Sequence, residues 1–184
     1  MNIAADGGMD LYDLVMRDLA AAPAATRAGG VSARDLTVVL AAAAKGRQPW
    51  RAAELARELG LSPLDVSLGL ERARRVGLVD EEKRRVLKEP LLEFLVHGLR
   101  YVFPAELGSS GPGTATAQLA GRYVWPLADG ESHGRHLTPL DPAALRAVGA
   151  ARELLGLVDV LRIGHVWERT IAVREIARRL DSAS

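Results

Sequence analysis

The stretch AAELARELGLSPLDVSLGLERARRVGLV, residues 52–79, constrains the fold more than any other part of the chain. Leu55, Ala56 and Leu59 recur at helical spacing, and Gly60 follows, a residue that accepts the left-handed backbone at a helix end. Leu61-Ser62-Pro63 then restarts the chain, because Ser62 can cap a helix and Pro63 suits its first position. The next helix is expected to bury Val66, Leu70, Ala73 and Gly77 along one stripe and to close at Gly77. Two helices separated by so short a turn form a helix-turn-helix.

The flanking sequence extends this unit. Ser32 opens a capping box with Asp35 ahead of a buried helix, DLTVVLAAAAKG, that ends at Gly46. Residues 78–89, LVDEEKRRVLKE, alternate around a charged tip and predict a two-stranded hairpin. A helix is expected to restart at Pro90, with Leu92, Leu95, Val96, Leu99 and Val102 on one side, and to stop at Pro104. Three helices followed by a charged hairpin is the order of a winged helix. Residues 105–141 are rich in Gly and Pro, lose periodicity and are expected to be irregular, with RYVWPL extended in places. Helix returns after Asp141-Pro142 in two segments broken near Gly149, and HVWERTIAVREIARRL supplies a last helix expected to bury Val166, Val173, Ile176 and Leu180. The expected fold is therefore mainly α: a winged helix-turn-helix with a small β-hairpin wing, plus a C-terminal helical extension. Its divisions are an N-terminal helix and linker (1–30), the winged helix-turn-helix with its following helix (31–104), the irregular segment (105–141) and the C-terminal helical region (142–184).

Composition narrows the function. Hydrophobic residues make up 48% of the 184, enough for a packed core. There is no cysteine, so disulfides and thiolate metal sites are excluded, and the expected location is cytoplasmic. The N-terminal residues lack the basic-then-apolar pattern of a signal peptide, and no apolar run reaches the ~20 residues of a membrane helix. No membrane partner is expected. Net charge is only +1, but residues 45–88 hold eleven Lys and Arg against seven Asp and Glu. A local basic patch can bind phosphate where the whole molecule cannot.

On the second helix of the pair, the face opposite the buried stripe carries Leu64, Leu68, Glu71, Arg72 and Arg75. If that face enters a DNA groove, Arg72 and Arg75 reach phosphates or guanine edges, and Ser62 and Ser67 contact phosphates near the helix start. Lys83, Arg84 and Arg85 at the hairpin tip are suited to phosphate contacts, although Glu81 and Glu82 sit beside them. Leu64 and Leu68 read no base edge beyond a thymine methyl. Four residues apart, they form an apolar strip that a partner protein or the C-terminal region can cover. Both uses of the scaffold stay open: duplex DNA bound by a homodimer, or a protein partner docked on the leucines.

The block LLEFLVHGLRYVFPAE (91–106) resembles a family of bacterial winged helix-turn-helix proteins described as MarR-like transcriptional regulators. The resemblance extends over roughly 33–180. It includes Phe94-Leu95 with His97-Gly98, Phe103-Pro104-Ala105, Trp125-Pro126 with Gly130, and Pro139-Leu140. It closes with Leu154-Leu155 through Val158-Asp159, then Arg162, Gly164 and Arg169. It implies a DNA-binding regulator with a family-specific C-terminal extension, and an antitoxin-like role beside nucleotidyltransferase-type toxins. The chain departs from that family where LGSSGPGTATAQL and HVWER stand in place of basic segments.

No enzyme site emerges. His133 and His136 form an H-x-x-H without an acidic ligand pair, GSSGPGT lacks the lysine of a phosphate-binding loop, and Ser109 and Ser110 have no base. His97 reads as a packing residue. Asp159, Arg162, Glu168 and Arg169 read as surface pairs or an internal salt bridge. No catalytic residue, metal or cofactor is expected.

Overall fold

The computed structural model describes residues 30–116 and 123–182. The expected helix over 9–22 and nearly all of its linker lie outside these residues. The described chain from Val31 onward forms one compact unit, mainly helical with a small three-stranded sheet.

Helix α1 (Ala33–Ala43) begins at Ser32, whose hydroxyl accepts from the Asp35 backbone while the Asp35 carboxylate accepts from the Ser32 backbone. Every residue of α1 from Asp35 to Ala43 is buried. Helix α2 (Ala52–Leu59) buries Leu55, Ala56 and Leu59. Gly60 ends it at φ 62°, and Leu61 N–H closes back onto Ala56 O at 2.8 Å. Helix α3 (Pro63–Arg75) buries Val66, Leu70 and Ala73 as expected, with Gly69 as the fourth member in place of Gly77, which lies past the helix end and is only partly buried. Gly77, at φ 76°, ends it with the same backbone closure, Leu78 N–H onto Ala73 O at 2.9 Å.

The hairpin after α3 is shorter than the alternation predicts. Only Val79 and Val86 bridge, supported by Asp80 N–H to Arg85 O and Leu87 N–H to Leu78 O, each 2.9 Å. The Asp80 carboxylate accepts the backbone N–H groups of Arg84 and Arg85, so a side chain fixes the tip where a longer ladder is missing. Helix α4 (Lys88–Glu93) starts two residues earlier than its proline suggests, with Pro90 inside its first turn. It passes through a wider turn over Phe94–Gly98, held by hydrogen bonds spanning five residues, into α5 (Leu99–Val102). Leu91, Leu95 and Leu99 form the buried row, and Val102 is exposed rather than inside.

Within 105–141 the structure differs most from expectation. Strands β1 (Leu107–Ala115), β2 (Tyr123–Pro126) and β3 (Ser132–Leu137) form a closed sheet. β1 runs antiparallel to both others, which pair in parallel with each other. After a 3-10 turn at Pro142–Arg146, α6 (Gly149–Ile163) and α7 (Val166–Ser182) pack against each other, and α6 also packs on α1. Val166 is 80% exposed, a correction to its expected burial, while Ala172, Ile176 and Leu180 carry the inner face of α7.

A buried polar hub joins these parts. Asp159 and Arg162 pair at 2.6 Å with side chains 1% and 6% exposed. Trp125 Nε1 donates to Asp159 at 2.7 Å. Arg162 also donates to the carbonyls of Phe103, Pro104 and Thr138. This is the internal form of the salt bridge considered from sequence. Burial pushes the Asp159 carboxyl up to about 6, against the opposing pull of Arg162. The FP, WP, PL and LVDVLR blocks that carry the sequence resemblance thus meet around one side-chain cluster.

Candidate nucleic-acid interface

Ser62, Leu64, Ser67 and Leu68 lie exposed along the outer side of α3. The Ser62 hydroxyl accepts from Asp65 N–H at 3.0 Å, so its first task is to cap the helix. The Ser67 hydroxyl has no hydrogen bond among the described residues. Leu64 and Leu68 are 67% and 47% exposed, which places the apolar strip at the surface as the sequence indicated.

Arg72 requires a correction. Its guanidinium turns inward and grips Asp35 on α1 through two hydrogen bonds, 2.8 Å from Nε and 2.7 Å from Nη2. Gly69 makes room for this pair: a Cβ there would stand 2.6 Å from Asp35 Oδ1. Burial raises the Asp35 carboxyl, but the hydrogen bonds from Arg72 and Ser32 outweigh it and hold the group below its usual range. Arg72 therefore ties α1 to α3 and is withdrawn from the set of DNA contacts. The capping box is legible in the sequence, but the role of Gly69 and the meeting of Asp35 with Arg72 are not.

The next cluster is self-compensating. Glu71 accepts from Arg74 at 2.8 Å, from Lys83 at 3.2 Å and from Arg75 at 3.3 Å. Arg74, followed by Lys83, pulls the Glu71 carboxyl down to about 2. Arg74, not singled out from sequence, also reaches Glu81. Lys83 bends back toward α3 in a left-handed conformation, φ 54°, and is partly occupied by Glu71. Arg75, Arg84 and Arg85 point outward, and Arg85 keeps only a 3.5 Å contact with Asp80. Of the seven expected DNA contacts, the structure leaves Ser67, Arg75, Arg84 and Arg85 facing solvent, Lys83 shared, Ser62 capping and Arg72 internal.

Residues three apart on a strand point to opposite faces, so His133 and His136 on β3 do not converge. His136 Nε2 lies 3.0 Å from the Pro112 carbonyl. Among the described residues no group of three His, Cys, Asp or Glu side chains is placed to hold a metal ion, and no helix is long and apolar enough to cross a membrane. No protein-family model, curated protein or solved structure matches the chain.

Proposed function

We propose that the protein is a cytoplasmic, homodimeric DNA-binding regulator of winged-helix type, in which phosphate contacts dominate and the wing supplies most of them. The observation that carries this reading is the succession of α2, the Gly60 turn and α3, followed directly by a hairpin with Arg84 and Arg85 exposed at its surface. On this reading α3 lies along the groove, Arg75 and Ser67 approach the backbone, and the wing holds the flanking phosphates. With Arg72 internal and two leucines outermost, α3 contributes little base reading, and sequence preference comes in part from DNA deformation.

The test is a fluorescence-anisotropy titration of duplex from the protein's own promoter region at about 0.1 M salt. Replacing Lys83, Arg84 and Arg85 by alanine is expected to flatten the plot of log affinity against log salt by about 0.9 per lost phosphate contact. No binding by the unaltered protein, or an unchanged slope in the triple variant, refutes the reading.

The exposed Leu64–Leu68 strip favours a second reading, an antitoxin that docks a cognate toxin, for example a nucleotidyltransferase, on α3. Co-purification with the product of the adjacent gene tests it. A complex that survives Leu64→Asp with Leu68→Asp rules out this surface.

A further inference from the structure

A cleft of about 830 Å³ opens on the wing beside the segment that joins α1 to α2. Arg47 and Arg51 line it from that segment, and Arg84, Arg85 and Lys88 line it from the wing and the start of α4. The one acid on its wall among the described residues, Glu54, already stands 3.6 Å from Lys45. Among the described residues, the side chains of Arg47, Arg51, Arg84 and Lys88 make no hydrogen bond or ion pair, and Arg85 has only its long contact with Asp80. Trp50, Pro49 and Val86 give the same cleft an apolar wall.

Five cations around one concavity repel one another, and each anionic group that enters relieves that repulsion. A cleft of one sign with low-dielectric walls also concentrates its counter-ion. Arginine forks bind phosphoryl oxygens two at a time, so the four arginines here can engage more oxygens than a single phosphoryl group carries. The volume falls within the roughly 300–1,000 Å³ of small-ligand sites. We propose that this cleft binds a small molecule carrying two or more linked phosphoryl groups, and that its occupancy withdraws Arg84 and Arg85 from DNA. The first part stands on the cleft alone, and the second rests on the DNA-binding reading above.

Inorganic triphosphate is the probe, titrated calorimetrically into the full chain at about 0.1 M salt, where weak surface attraction is screened. Arg47→Ala with Arg51→Ala is the test variant. Both side chains are exposed, and an unchanged melting temperature checks the fold. Arg57→Ala with Arg100→Ala removes the same charge outside the cleft. Triphosphate is expected to bind the unaltered protein and the control alike, and the test variant at least about tenfold more weakly. It is expected to displace duplex from the unaltered protein and to lose that effect in the test variant. No triphosphate binding, or equal weakening in control and test variant, overturns the proposal. So does a loss of duplex affinity in the test variant without any triphosphate binding, which would assign the cleft to the DNA backbone. If the unaltered protein binds triphosphate but no duplex, the cleft stands and the DNA-binding reading falls, taking the displacement with it.

Discussion

Replacing Arg72 by alanine separates a structural residue from a DNA contact. The change leaves the Asp35 carboxylate buried, with its Ser32 backbone hydrogen bond but without two charge-assisted bonds of 2.7 and 2.8 Å. Each such bond contributes about 1.5–3 kcal/mol net, and orphaning one member of a buried pair costs about 3–5 kcal/mol. The Arg72 side chain is one-third exposed, so water can reach part of the vacated space, and about 2–3 kcal/mol is the fitting range. With a urea slope of about 2 kcal/mol/M, the unfolding midpoint should fall by about 1–1.5 M at unchanged slope. Asp35→Asn should produce a drop of similar size, and the two together should cost much less than their sum, as expected for partners in one interaction. The Asp35 pKa is lowered by folding, so its stabilisation is present above the unfolded-state pKa and is lost as pH falls through the folded-state value. Arg72→Ala should therefore also flatten the acid side of the stability profile. An unchanged urea midpoint combined with a tenfold loss of duplex affinity would refute this reasoning and return Arg72 to the DNA surface.

Three other changes test neighbouring parts of the structure. Gly69→Ala should lower stability by about 1–2 kcal/mol in urea unfolding, because the Asp35 carboxylate it meets is held on both sides and the gain in helix propensity only partly offsets the clash. Gly60→Ala should lower it by at least about 1–2 kcal/mol, since it must adopt φ 62° against the Arg146 side chain, and a melting curve reads this directly. Asp159 has its pKa raised by folding to about 6, so ionising it weakens the fold: its contribution is complete below the unfolded-state value and declines as pH rises through about 6. Asp159→Asn should remove that decline from a pH series of unfolding midpoints.

Helix ends were the most legible features, because each is written in one or two residues. Ser32, Gly60, Ser62-Pro63 and Gly77 act where their local chemistry places them. The sheet was not legible, for a physical reason. β1 is LGSSGPGTA, whose buried positions are glycines, so no hydrophobic alternation betrays it, and its pairing with β3 depends on residues 19 or more positions away. The inward turn of Arg72 is invisible to a helical wheel, which sees only one helix. The glycine three residues before it opens the stripe just enough for an acid of α1 to enter, and that acid belongs to a distant segment. Val166 was misplaced because it opens α7, where the chain is still turning away from α6. Leu64 and Leu68 were placed at the surface correctly, since period alone decides which side of a helix they occupy.

Arg162 also determines how the molecule can be dissected. It holds carbonyls from residues 103, 104 and 138 while paired to Asp159, so a cut after Pro104 removes the donor that saturates the end of the preceding helix. Leu95 and Leu99 would lose α6 as their cover, and α4, which carries Leu91, would lose α7. A shortened chain ending there should aggregate rather than behave as a minimal DNA-binding fragment. In the whole protein, the amides of α5 and those of α6 should exchange with solvent in one shared opening event, because neither can detach without breaking the same guanidinium contacts.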